Sequence, residues 1–223
     1  MGRIEPIKLT RKDGKVVDVT YYNNADIDNV DILDIKKLKF EGIKTKDINK
    51  SQIHQEVLKG KEKILLQNNK SKIIASLSKR HLNKIISTVF TRDIESRHAY
   101  LKKELISNVD SIFYSAIPIL KHQELKKQAL YNNQIVHRFA LPIKIGGFVF
   151  FAMITVKERT DYQEMSIDEF SIYDLYSEVQ ENEKSPDSSS KVSSRTFLSH
   201  YQVITYTITD LVEFVNLNIT KYQ

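Results

Sequence analysis

The chain has 223 residues, 41% of them hydrophobic, and carries 34 Lys+Arg against 28 Asp+Glu, a net charge of +6. It contains no cysteine, which excludes disulfides, thiolate metal sites and a cysteine nucleophile. No apolar run reaches the ~20 residues of a membrane span, and the first residues lack the apolar core of a signal peptide. The expectation is a soluble cytoplasmic protein with no membrane partner.

Residues 1–35 are polar and rich in turns. Asp13-Gly14 separates Ile7-Lys8-Leu9 from Val16-Val17-Asp18-Val19, a hairpin signal. Asn23-Asn24 and the Asp-rich run over 26–34 read as loop. Residues 46–60 fit a short helix ended by Gly60. Ile64-Leu65-Leu66 and Ile73 to Leu77 bracket Asn68-Asn69-Lys70, predicting strand, turn and strand. Ser78 is a good N-cap for a helix carrying Leu82, Ile85, Ile86 and Val89 at helical spacing. A second helical pattern runs over 93–116, and Pro118 stops it. Residues 122–134 are polar and read as a loop.

Two apolar runs then flank Gly146-Gly147, predicting an antiparallel hairpin over 135–157. His137 and Arg138 open its first strand, and Thr155 and Lys157 close its second. A hairpin sets the start of one strand beside the end of the other, so four groups able to bind or act on a phosphate meet at one end. Alternation groups His137 with Phe139, Leu141 and Ile143. Arg138 falls with Ala140, Pro142 and Lys144, and Thr155 and Lys157 fall with Val149, Phe151 and Met153. Which of His137 and Arg138 faces a cleft is left open by the sequence, and a histidine bonded within the core fits the same pattern. Phe170 to Tyr176 alternates as a further strand. Residues 181–194 are a Ser-rich linker by composition. Phe197, Tyr201, Ile204, Ile208, Leu211, Val215 and Ile219 predict a closing helix.

The charge is uneven. Residues 36–103 hold 18 Lys/Arg against 6 Asp/Glu, while 158–187 holds 10 acids against Arg159 and Lys184. A basic half favours a polyanion partner, although Lys-rich solvated helix faces give the same composition. Lys79, Arg80, His81 and Lys84 open a helix whose N-terminal amides could also receive a phosphate, and Tyr173 could stack on a base. The six histidines lack metal-ligand spacing, and there is no glycine motif for a nucleotide. No metal and no cofactor is expected.

Four blocks carry a family resemblance: L-Q-N-N-K-S-K-I-I-A-S-L-S-K-R-H-L-N-K, L-I-S-N-V-D-S-I-F-Y-S-A-I-P-I, V-H-R-F-A-L-P-I-K-I-G-G and I-T-V-K-E. In that order, over roughly residues 60–177, they resemble the third type of large polyvalent protein-associated domain. Such domains occur in large proteins of phages and conjugative elements. The blocks also resemble the phage branch of the barnase/EndoU/colicin (BECR) ribonuclease fold. The resemblance implies a metal-independent ribonuclease-like domain, a toxin or effector acting on RNA. Such chemistry needs a base, an acid and cations around the phosphorane. His137, Lys157, Thr155 and Arg138 are the candidate catalytic set, with Glu158 as an alternative base. Lys79, Arg80, His81, Lys84 and Tyr173 are the candidate nucleic-acid contacts. The alternative reading is a non-catalytic domain of the same family that binds nucleic acid, RNA favoured, or a protein partner such as an immunity protein.

The fold class expected is α+β: an antiparallel sheet of four to six strands with two or three helices on one face, plus a C-terminal helix. The expected organisation is an extension over 1–58, a core over 59–180, a linker over 181–195 and the closing helix over 196–223.

Overall fold

The computed structural model describes residues 7–10, 14–24, 30–92, 99–125, 134–146, 148–161, 163–174 and 206–220. The Ser-rich linker and the first part of the expected closing helix lie outside these residues. In the N-terminal segment, β1 (Leu9–Thr10) pairs with β2 (Val16–Val17) around Gly14, whose φ of +81° suits the glycine of that turn. β3 (Val19–Tyr21) leaves this ribbon and joins the main sheet. β4 (Leu33–Ile35) follows inside the Asp-rich run that reads as loop.

A 3₁₀ turn (Thr45–Asp47) leads into α1 (Lys50–Leu58). Asn49 caps α1 by accepting from Gln52 N–H at 3.1 Å, and the Gln52 side chain accepts in return from Asn49 N–H at 2.8 Å. The helix stops where Lys59 and Gly60 both turn left-handed, at φ 51° and 79°. β5 (Lys63–Gln67) and β6 (Ile74–Ser78) form the expected hairpin. Its turn is fixed by the buried Asn68 amide, which donates to the carbonyls of Phe113 and Ala116, both at 2.7 Å. Ser78 Oγ accepts from His81 N–H at 3.3 Å, as the N-cap of α2 (Lys79–Arg92).

The single helix expected over 93–116 is, among the described residues, two: α3 (Ala99–Ser107) and α4 (Val109–Ser115). Asn108, at φ −103° and ψ 18°, breaks the run, and its side chain donates to Glu104 O at 2.8 Å. The helical run ends at Ser115, before Pro118 as expected, but the strand that follows reaches into the segment that reads as loop from residue 122. Pro118 lies in β7 (Ile117–Gln123), where a register shift between Pro118 and Leu120 accommodates its missing N–H. β8 (Gln134–Ile145) and β9 (Phe148–Arg159) then pair along their whole length, from Gln134 opposite Arg159 to Ile145 opposite Phe148. Gly146, at φ +55°, stands at the tip. β10 (Glu164–Asp174) begins earlier than the alternation over 170–176 indicates, and a bulge between Ile167 and Glu169 hides its first half from a period-2 reading. The last described element is α5 (Ile208–Thr220).

The main sheet has eight strands in the order β3-β7-β8-β9-β10-β6-β5, with β4 beside the second half of β8. Its pairings are antiparallel except β10–β6 and β4–β8. The α+β class stands, but the sheet exceeds the four to six strands expected, and helices cover both faces. On one face, here face A, Phe139, Leu141, Ile143, Phe150, Ala152 and Ile154 pack with residues of α1 to α4. On face B, Ala140, Phe151 and Met153 pack under Leu211, Val212, Val215 and Ile219 of α5. A sheet with two apolar faces needs a layer on each, so α5 is part of the core and not an appendage.

Candidate functional site

The hairpin brings the residues singled out above to one end of the sheet, but strand alternation divides them between its faces. His137 lies opposite Val156 on face A. Arg138, opposite Thr155, and Val136, opposite Lys157, lie on face B. Arg138, Thr155 and Lys157 therefore share a surface, and His137 does not.

On face A, His137 is 4% exposed. Its Nε2 lies 2.9 Å from Glu158 Oε2, and its Nδ1 lies 2.5 Å from the Tyr22 hydroxyl. A carboxylate only accepts, so Nε2 carries the proton. Nδ1 is then the acceptor, and Tyr22 donates to it. Burial lowers the His137 pKa, and the Glu158 hydrogen bond opposes that only in part. Burial, aided by the Glu158 charge, pushes Tyr22 up to about 12. Both imidazole nitrogens are occupied by a network joining the end of β3 to β8 and β9. A base needs a free lone pair, and His137 has none here.

Face B is different. Arg138 Nη1 donates to Thr155 Oγ1 and stands 3.7 Å from Glu169 Oε2. Lys157 Nζ lies 2.6 Å from Glu124 Oε2 and 3.3 Å from Asp168 Oδ2. Asp168 sits in the β10 bulge and also takes Lys84 Nζ of α2 at 2.9 Å. A chain of alternating charge, Lys84–Asp168–Lys157–Glu124, thus ties the basic helix start to the hairpin. Burial would lower Lys157, but the hydrogen bond to Glu124 and the charge of Asp168 outweigh it and raise the pKa. Burial would raise Asp168, but Lys84 and Lys157 together hold its pKa below the ordinary value.

The same surface holds a residue that falls within the segment read as loop. His122 of β7, opposite Val136, is 3% exposed. Its Nδ1 is 2.6 Å from the carbonyl of Gln123, so Nδ1 carries the proton and Nε2 is a bare lone pair. That lone pair has no hydrogen-bond partner among the described residues, and neither has the buried Arg138 Nε–H. Burial, reinforced by the Arg138 charge, lowers the His122 pKa to about 4, so the ring is neutral at pH 7. Leu120, Lys121, His122, Gln123 and Glu124 alternate buried and exposed. That period of two is the signal in the sequence, masked because two of its inward positions are polar.

The remaining candidates divide in the same way. Lys79 and Arg80 are exposed at the start of α2. His81 is half-buried, its Nδ1 3.2 Å from Ser78 Oγ, and burial lowers its pKa more than Asp168 raises it. Tyr173 packs edge-on against Phe214 of α5 with ring centroids 5.0 Å apart, which makes it a contact between the sheet and α5. Among the described residues no group of three or more His, Asp or Glu could hold a metal ion, and no helix is long and apolar enough to cross a membrane.

These residues belong to an α+β domain with a polar sheet end. The model of the large polyvalent protein-associated domain 3 family matches residues 44–166, more than half of the chain, and the chain belongs to that family. The match runs from the 3₁₀ turn before α1 to the first residues of β10, so it includes the hairpin and the start of α2. No curated protein and no solved structure matches the chain. The likeness to the BECR ribonuclease fold therefore rests on the sequence blocks alone.

Proposed function

We propose that this domain binds nucleic acid, RNA favoured, through the basic edge of its sheet, as part of a phage or mobile-element protein acting in a bacterial cytoplasm. The observation that carries this reading is the composition of the edge. Lys59, Lys61, Lys63, Lys70, Lys72, Lys79 and Arg80 are all exposed along β5, its turn and the start of α2, with Glu62 the only acid between 59 and 80. Lys63 faces Ser78 across the β5–β6 pair, and Lys79 N–H donates to Glu62 O at 2.9 Å. Lys61, Lys63, Lys79 and Arg80 thus gather at one end of the hairpin and Lys70 and Lys72 at the other, ~16 Å apart for five residues of strand. Lysines on an edge strand also discourage pairing with another chain. Among the described residues two of the seven pair with acids, Lys63 with Glu164 at 2.7 Å and Lys79 with Glu62 at 3.8 Å. Both pairs are exposed and worth ~1 kcal/mol or less, so a polyanion displaces them easily.

The test is affinity for single-stranded RNA against salt. Log affinity should fall linearly with log salt, with a slope of about −0.7 for each phosphate neutralised. Reversing Lys61, Lys63 and Lys79 to Glu should flatten that slope. An affinity indifferent to salt, or to the reversal, sinks the reading.

The ribonuclease reading stands second, as a toxin or effector activity, and one arrangement favours it. Arg138, Thr155 and Lys157 meet on face B, where cations would steady a phosphorane. His137 supplies structure in this reading and not the base. Cleavage of RNA to a 2′,3′-cyclic phosphate end, with DNA spared, would support it. A broad panel of RNAs left intact by the full chain would leave the binding reading alone.

A further inference from the structure

His122 and Arg138 stand on adjacent strands of face B as diagonal neighbours, Leu120 being opposite Arg138 and His122 opposite Val136. Diagonal pairs of this kind are ~7–8 Å apart and within reach of long side chains. One presents a lone pair and the other an N–H, both buried and both without a partner among the described residues. Buried polar atoms are partnered in the great majority of cases. Other buried polar atoms lie on this surface, Glu124 Oε2 among them, which is held by Lys157; His122 Nε2 and Arg138 Nε are of opposite hydrogen-bonding sense, which defines what would satisfy that pair. A hydroxyl can donate to His122 Nε2, and an anionic oxygen can accept from Arg138 Nε.

A third observation shows how an anion would enter. Glu169 approaches the Arg138 guanidinium only to 3.7 Å, and its side chain is 49% exposed. That is a loose, solvent-facing ion pair, beyond hydrogen-bond distance. A ligand anion can take the place of Glu169 without leaving the guanidinium uncompensated. Thr155 and Lys157 are already held by Arg138 and by the two carboxylates, so they shape the site and need not bind.

We propose that His122 and Arg138 form a ligand site for a ribose 2′-hydroxyl together with its adjoining 3′-phosphate. The choice of a ribonucleotide over another hydroxylated anion rests on the RNA reading above. The donor and acceptor geometry does not. The site is separate from the basic edge, and it distinguishes ribose from deoxyribose where the edge does not.

The experiment uses the full chain, with uridine 3′-monophosphate, its 2′-deoxy counterpart and inorganic phosphate as probes. Binding is followed by calorimetry and by the ¹⁵N resonances of the His122 ring. The ribonucleotide should bind roughly fivefold or more tighter than the deoxynucleotide, the least that an unmet buried acceptor costs. It should shift the Nε2 resonance, and His122→Ala should abolish the discrimination. Glu169→Gln, which removes the competing carboxylate, should tighten binding of the phosphate-bearing probes and keeps the test alive if His122→Ala does not fold. Equal affinity for the two nucleotides, or an Nε2 resonance that no probe moves, overturns the proposal and leaves a bridging water as the partner. If RNA still binds the edge with its salt dependence, only this inference has failed. If the mononucleotides discriminate but RNA shows no salt-dependent binding, the edge reading has failed and this site stands.

Discussion

Acid should destabilise this fold well before its carboxylates titrate, and His122 should account for much of the loss. Its ring is 3% exposed, and its pKa falls from 6.5 to about 4 through burial and the neighbouring Arg138 charge. The unfolded chain therefore takes up a proton near pH 6.5 that the folded chain refuses until about pH 4. In that window the unfolded state binds more protons, so stability rises with pH and reaches its full value above pH 6.5. Each pH unit crossed between the two pKa values costs about 1.36 kcal/mol, so the loss is about 2 kcal/mol at pH 5 and about 3 kcal/mol at pH 4. His137, also depressed by burial, adds to the loss with the same sign. The depressed carboxylate of Asp168 contributes only below its unfolded pKa of 3.8, so measurements between pH 5 and 7.5 leave it out. The assay is urea unfolding of wild type and His122→Phe at pH 7.5, 6 and 5. Wild type should lose about 2 kcal/mol more than the variant between the two ends. Parallel curves, or an NMR titration placing the His122 pKa at or above its ordinary value of 6.5, would refute the placement of this ring on a dry face beside Arg138.

Three further outcomes test other parts of the structure. Tyr22→Phe and His137→Leu should each destabilise, and in a double-mutant cycle their coupling should be roughly 0.5–3 kcal/mol because they share one hydrogen bond; additive effects would contradict the network. Leu211→Ala should cost about 2–5 kcal/mol in thermal or denaturant unfolding, as a fully buried leucine between α5 and the sheet, whereas a cost under about 0.5 kcal/mol would make α5 an appendage. Asn49→Ala should cost roughly 1 kcal/mol through loss of the α1 cap, visible as a lowered Tm with the fold intact.

The hairpin is the most legible part of the sequence because two independent signals agree there: glycines at the tip and apolar runs on both sides. Its alternation groups His137 with Phe139, Leu141 and Ile143 and Arg138 with Ala140 and Pro142, as the strand register does, but it does not say which of the two groups shares a face with Thr155 and Lys157. What alternation alone does not reveal is what lies over each face. His137 can be placed with Phe139, but its partner Tyr22 is 115 residues away and follows β3, whose first residue Val19 reads as the end of another hairpin. β4 is hidden because only Leu33 and Ile35 of its three residues are apolar, too short a run to show a period. β7 is hidden by Pro118 and by the polarity of His122 and Glu124. Sheet order depends on contacts far apart in sequence, and no local pattern places β5–β6 beside β10 instead of beside β8.

Face B and the basic edge follow different electrostatic rules, which is why two surfaces and not one carry the functional reading. On face B, Lys84 and Lys157 are set against Asp168 and Glu124, and Arg138 against Glu169. Such a network is close to neutral and attracts no polyanion from a distance. Its polar groups are desolvated, so it can discriminate by hydrogen bonding. On the edge the cations are solvated and nearly unopposed. There the field is long-ranged, sensitive to salt and indifferent to the identity of the sugar. A nucleic acid meeting this domain would be gathered by the edge and read, if at all, on face B. The two steps are joined physically by Lys84, which belongs to the basic helix and ends on Asp168 of the bulge. Replacing Asp168 by Asn should therefore leave salt-dependent RNA binding intact or stronger, since a carboxylate is removed from beside two lysines. It should also weaken the hold of Asp168 on Lys157 and disturb the sugar discrimination at His122 and Arg138. Loss of the salt-dependent binding in Asp168→Asn, with the fold preserved by circular dichroism, would show that the edge and face B are one surface and would refute this division.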